Sequence, residues 1–132
     1  MTLFCYGSLE FAEVMRAVTG RSFAHERARL DGWERRRLRG RSYPGLRERT
    51  GASTPGTVWH GIDARCAARL DAFEGALYER RGVMVRTSAG LAVADVYVTR
   101  PEHLDELSGE PWDRLRFARE TLPGFVRAIR RR

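Results

Sequence analysis

The sequence predicts a mixed α/β (α+β) domain, and three stretches carry that prediction. The first is Leu3-Phe4-Cys5-Tyr6-Gly7-Ser8-Leu9, an apolar run broken abruptly at Tyr-Gly-Ser, with a helical pattern after it. The second is Asp63 to Gly75, which reads as a capped amphipathic helix. The third is the pair Tyr78 to Arg86 and Leu91 to Thr99, two strands joined by Ser88-Ala89-Gly90. Helices interspersed with strands of this kind pack as layers around one core. At 132 residues the chain is expected to form a single domain over 1–132, long enough to bury a core without disulfide or metal staples.

In chain order, Thr2 to Tyr6 reads as a buried strand stopped by Gly7. Ser8 is placed to cap a helix from about Phe11 to Thr19, with Glu10 and Glu13 in its first turns, where the macrodipole favours negative charge. Val14, Met15 and Val18 give it an apolar face, and Gly20 ends it. Phe23 to Leu38 reads as two strands turning at Asp31-Gly32, the second solvated because arginines stand at 35, 36, 37 and 39. Tyr43-Pro44-Gly45-Leu46 reads as a turn and Thr50 to Pro55 as a loop. Thr57 to Ile62 reads as a strand with Val58, His60 and Ile62 on one face. Asp63 N-caps the next helix, Cys66, Leu70 and Phe73 form its buried stripe, and Gly75 caps its end. The tail from His103 is helical in tendency and broken at Pro111 and Pro123-Gly124. Trp112, Leu115, Phe117, Leu122, Phe125 and Ile129 are expected to pack it over the sheet.

All 24 basic residues are arginine, and the net charge is +7. The arginines are scattered, and their densest runs, Arg35 to Arg37 and Arg130 to Arg132, are not interleaved with the aromatics a single-strand binder stacks bases on. Nucleic acid is therefore not expected as a partner. No apolar run approaches the roughly 18 residues of a membrane span, and no basic segment followed by a long apolar one marks a secretory signal. Cys5 and Cys66 lie far apart in sequence with no Cys-x-x-Cys motif, and both are read as buried thiols of a cytoplasmic protein. His25, His60 and His103 lack metal-ligand spacing, so no metal or cofactor is expected.

Chemistry concentrates in two places. A strand, tight glycine turn and helix leave backbone N–H groups free at Gly7-Ser8-Leu9, a geometry suited to a carboxylate or an oxyanion. Glu74 falls in the last helical turn before Gly75, where the dipole disfavours a carboxylate, and Asp71 adds a like charge three residues back. Both effects raise a carboxyl pKa toward the range useful for general acid/base work. Equally, Glu74 has Arg80 and Arg81 close in sequence as partners for a plain surface salt bridge, and position alone leaves both readings open.

Taken in order, Tyr6-Gly7-Ser8-Leu9, Val18-Thr19-Gly20-Arg21, Tyr43-Pro44-Gly45-Leu46, Gly56-x-Val58-Trp59-x-Gly61-Ile62, Leu70-Asp71-x-Phe73-Glu74-Gly75 with Tyr78-x-Arg80, and Val96-Tyr97-Val98 form a series. This series resembles the gamma-glutamylcyclotransferase-like family, and within it the AIG2-like branch, over residues 2 to 99. The resemblance implies a compact mixed β-barrel flanked by helices. It implies a pocket in which Tyr6, Gly7, Ser8 and Leu9 bind substrate and Glu74 is the acid/base. The family's reaction closes a γ-glutamyl compound into 5-oxoproline and releases its amine, with no cofactor and no metal. Tyr43, Arg47 and Tyr97 are expected at the pocket rim. Many relatives carry Pro just after the turn, where this chain reads Glu10-Phe11-Ala12-Glu13. The partner implied is a small γ-glutamyl molecule, with no membrane and the oligomeric state left open. The alternative on the same fold is a non-catalytic small-molecule-binding or regulatory protein.

Overall fold

Five strands, β1 (Leu3–Cys5), β2 (His25–Arg37), β3 (Pro44–Trp59), β4 (Tyr78–Thr87) and β5 (Gly90–Thr99), close into a barrel in the order β1-β3-β2-β4-β5. The computed structural model describes residues 1–132. β1 runs antiparallel to β3, with Phe4 opposite Val58, and parallel to β5, with Phe4 opposite Val96. β2 and β3 form a long antiparallel ribbon, β4 and β5 a hairpin, and the Arg29–Arg86 pairing joins the two. Four helices lie outside: α1 (Ala12–Thr19), α2 (Ala64–Glu74), α3 (Arg114–Glu120) and α4 (Leu122–Arg130). The mixed α/β barrel flanked by helices is the expected fold.

The strands' two-residue alternation sorts the core into two clusters. Phe4, Leu30, Leu46, Val58, Val85 and Val96 fill the barrel. Leu3, Cys5, Trp59 and Tyr97 point the other way and meet Leu9, Val14, Met15, Cys66, Leu70 and Phe117 from the helical side. Helix α2 begins as expected, with the Asp63 carboxylate accepting from the Cys66 N–H at 2.8 Å, and ends with the Gly75 N–H donating to the Asp71 carbonyl.

Several expectations fail in instructive ways. Asp31-Gly32 is not a hairpin turn. It is a bulge inside β2, where Gly32 takes φ 84° and the pairing with β3 shifts register without breaking. The segment after it is half-buried rather than solvated. Pro44 begins β3, which Pro can do as the first residue of a strand, so Tyr43 to Leu46 is not a turn. Thr50 to Pro55 is the middle of β3, not a loop, and β3 stops at Trp59, so His60 and Ile62 share no strand face with Val58. Ser8 opens a short 3₁₀ turn (Ser8–Glu10) and caps nothing with its side chain; Phe11 holds the N-cap position of α1. Pro123 sits in the first turn of α4, where its missing N–H is not needed, so it starts a helix instead of breaking one. Leu115 faces solvent, while Trp112, Phe117, Leu122 and Ile129 pack as expected.

The arginine run is tied down. Arg36 and its neighbours Arg47 and Arg49 converge on Glu34 at 3.0, 2.8 and 2.6 Å, holding that carboxyl down at about 2. Cys5 and Cys66 are both buried free thiols. No helix is long and apolar enough to cross a membrane.

Candidate active site

Where β1 leaves the barrel the chain bends through Tyr6-Gly7-Ser8-Leu9 into α1. The Gly7 carbonyl accepts from the Glu10 N–H at 3.0 Å and the Ser8 carbonyl from the Phe11 N–H at 3.2 Å, which fixes the bend. The Gly7 and Ser8 N–H groups precede the turn's own acceptors, as at any helix start, and none of the turn and loop hydrogen bonds uses them. A Cβ at Gly7 would sit 2.9 Å from Pro44 Cδ, so the approach of β3 to the turn demands glycine.

Two buried groups brace the bend from behind. Arg35 donates to the Tyr6 carbonyl at 2.9 Å. Glu10, whose side chain is 0% exposed, pairs with Arg27 at 2.7 Å, while its other oxygen lies 3.6 Å from Arg114 and 3.8 Å from Arg35. Glu10 was expected as a helix-start charge; it is also a buried carboxylate answered by three arginines that reach the surface.

In front of the turn is a small open cavity of about 130 Å³. Tyr6, Gly7, Ser8, Leu9 and Glu74 all line it, and so do the expected rim residues Tyr43 and Tyr97. Arg47 does not. It sits on the outer face of the β2–β3 ribbon, paired with Glu34, because β3 continues where a turn was expected to bring it toward the site. Sequence reasoning did not assign Phe4, Cys5, Pro44, Phe73, Tyr78, Phe125 or Arg132 to the cavity. Tyr78 lay within the quoted series, but Phe125 and Arg132 belong to a tail whose return to the site has no local signal.

Glu74 ends α2 beside this cavity and is only partly accessible. It takes no arginine. Arg80 is engaged by Asp71 at 2.9 Å and Asp95 at 2.7 Å, and Arg81 reaches toward Glu48 at 3.8 Å. Burial, and then the negative charge of Asp71, push the Glu74 carboxyl from an ordinary 4.5 up to about 8. Asp71 moves the other way: hydrogen bonds from Arg80 and Tyr97 hold it below its usual value. The tyrosines are framework. Tyr6 donates to the Tyr97 carbonyl at 2.5 Å, Tyr78 to the Pro44 carbonyl at 2.6 Å, and Tyr97 to Asp71 at 2.6 Å. Burial drives the pKa of each well up, so none is an acid near neutrality. Burial does the same to Cys5, with Glu74 and Glu10 adding to it, which leaves a poor nucleophile. His60 bonds Glu26 at 3.1 Å, away from the cavity. No three His, Cys, Asp or Glu side chains cluster as metal ligands.

Comparison with known proteins shows the family to which this small barrel belongs. The family model "Gamma-glutamyl cyclotransferase, AIG2-like" matches residues 3–114, and the chain belongs to that family. It is similar to AIG2-like protein C of Arabidopsis thaliana, 35% identical over 98% of this chain and 76% of that protein. A solution structure of an Arabidopsis thaliana protein superposes with a TM-score of 0.75 at 26% identity, over 96% of this chain and 86% of that one. A solved gamma-glutamyl cyclotransferase shares the fold at 18% identity and a TM-score of 0.66, over 98% and 85% of the two chains.

Proposed function

We propose that this protein is a gamma-glutamyl cyclotransferase, converting a γ-glutamyl amide into 5-oxoproline and a free amine, with Glu74 as the acid/base. The observation that carries this reading is the Glu74 carboxyl, without an ion-pair partner and with a pKa near 8, lining one cavity with Gly7 and Ser8, whose N–H groups no turn or loop hydrogen bond uses.

The reaction asks little of the protein because nucleophile and electrophile are in one molecule. Holding the γ-glutamyl chain bent removes much of the entropic barrier. Glu74, in its ionised form, takes a proton from the substrate's α-ammonium group. The freed nitrogen attacks the side-chain carbonyl carbon, a C–N bond forms, and the carbonyl oxygen becomes an oxyanion. The five-membered ring is thus already closed; Glu74 returns the proton to the amide nitrogen, the oxyanion re-forms the carbonyl as the old C–N bond breaks, and the ring nitrogen gives up its second proton through Glu74. The two protons shed by the ammonium end on the departing amine, so no net charge changes. The Gly7 and Ser8 N–H groups hold either the oxyanion or the substrate carboxylate in this reading. The two buried thiols and the small-molecule chemistry support a cytoplasmic setting.

The test is 5-oxoproline release from a panel of γ-glutamyl amino acids and amines. Glu74→Gln is expected to lower kcat by about 10³-fold, since the substitution keeps shape and removes proton transfer. Equal activity in wild type and Glu74→Gln would refute the assignment. Ligand-induced thermal stabilisation with no product from any member would instead fit a binding protein on the same fold.

A further inference from the structure

The cavity wall has two chemical characters. The turn offers backbone N–H groups and Glu74 offers a proton carrier, together sufficient for the glutamyl part of a substrate. The remainder is aromatic. Phe73 meets Phe125 edge-on at 6.2 Å, and Phe125 meets Tyr43 edge-on at 6.5 Å. Over this aromatic wall sits Arg132, its guanidinium carbon 5.8 Å from the Phe73 ring centroid. Arg132 and Glu74 are the only charged side chains lining the cavity. Every acidic group that pairs with arginine elsewhere in the molecule has other partners, and none lies within ion-pair distance of Arg132. An arginine stacked on a ring keeps its N–H groups free for an incoming anion.

Resting on the cyclotransferase reading, we infer that Phe73, Phe125 and Arg132 form the subsite for the departing amine, and that this amine is an α-amino acid with an apolar or aromatic side chain. The side chain lies against the two phenylalanine rings and the carboxylate meets the Arg132 guanidinium. A simple alkylamine leaves that guanidinium without an anion. A leaving group carrying a second ammonium brings like charge toward Arg132, and no acidic side chain besides Glu74 lines the cavity to receive it. The enzyme thus selects γ-glutamyl dipeptides of apolar residues over γ-glutamyl amines and over γ-glutamyl groups on a lysine side chain.

The experiment compares three compounds: γ-glutamyl-phenylalanine, γ-glutamyl-phenethylamine, which differs only in lacking the carboxylate, and Nε-(γ-glutamyl)-lysine. Wild type is expected to favour the first over the second by about ten-fold in kcat/KM, the effect of one charge-assisted contact, and also over the third, whose carboxylate comes with a free ammonium and no aromatic ring. Arg132→Gln is expected to bring the first two near parity, through KM and not kcat. Arg131→Gln, at an exposed arginine outside the cavity, is expected to leave the preference intact. Parity in wild type, or a preference that survives Arg132→Gln, overturns the subsite while cyclisation itself stands. If wild type turns over none of the three, the cyclotransferase reading falls instead. Titration calorimetry of the two phenyl compounds then decides the subsite alone. Tighter binding of the carboxylate form, lost in Arg132→Gln, upholds it, and equal binding overturns it.

Discussion

Two glutamates are enclosed on opposite sides of the same seven-residue stretch, and they are kept in opposite ways. Glu10, behind the turn, is wholly buried and ringed by Arg27, Arg35 and Arg114. Glu74, in front of it, forms no ion pair, and the charge acting on it is the like charge of Asp71. The first arrangement serves structure. A buried carboxylate answered by guanidinium groups pins the turn to the barrel, and Arg35 joins that cluster to the Tyr6 carbonyl. The second, under the proposed mechanism, serves chemistry. A carboxyl enclosed without a partner gives up its proton only near neutral pH. Arginine is abundant enough to have paired with Glu74. The hydrogen bonds that commit Arg80 to Asp71 and Asp95 keep that arginine occupied.

Removing either glutamate should expose the contrast. Glu10→Ala leaves three guanidinium groups facing one another around an empty site. Unfolding in urea is expected to show a loss of about 3 kcal/mol, roughly 10 °C in melting temperature. A loss below about 1 kcal/mol would mean that the cluster is a surface pair in disguise. Glu74→Gln should do the reverse. The folded carboxyl titrates near 8 against 4.5 when unfolded, so the native state holds its proton more tightly. Stability from this group is full below about pH 4.5 and declines as pH rises toward 8. Wild type is therefore expected to lose on the order of 2–4 kcal/mol across that window relative to Glu74→Gln. Parallel stability curves for the two proteins would contradict it.

The smallest effect belongs to Asp71. Asp71→Asn removes the like charge and releases Arg80, and both changes favour the ionised form of Glu74. The rising limb of the kcat/KM profile, set by ionised Glu74 in the free enzyme, is expected to move to lower pH, with activity at pH 7 up about two-fold. A shift to higher pH would show that Arg80 and Asp71 act on the site by some other route.

What was legible in the sequence follows the same division. The turn, α2 with both caps and the β4–β5 hairpin rest on local signals: glycine at a bend, Asp and Gly at helix ends, alternating apolar residues; Glu74 was singled out at the helix end, but its role came only with the family resemblance. The β2–β3 ribbon was not legible because its middle lies away from the core. In β3, Arg47 to Gly51 are exposed on both faces, so nothing selects an apolar alternation there, and Gly and Pro read as turns. That misreading also misplaced Arg47, which a turn at Tyr43 to Leu46 would have carried to the cavity rim. The burial of Glu10 and the return of Phe125 and Arg132 to the site are long-range facts of packing. No residue near them in sequence announces either one.

The central claim is that Glu74 is poised by its surroundings to exchange a proton near neutrality. A ¹³C NMR titration of the protein labelled at glutamate carboxyl carbons, with Glu74→Gln assigning the resonance, tests it directly. The account predicts a midpoint near 8 for Glu74. A midpoint in the ordinary carboxylate range of about 4–5 would contradict it.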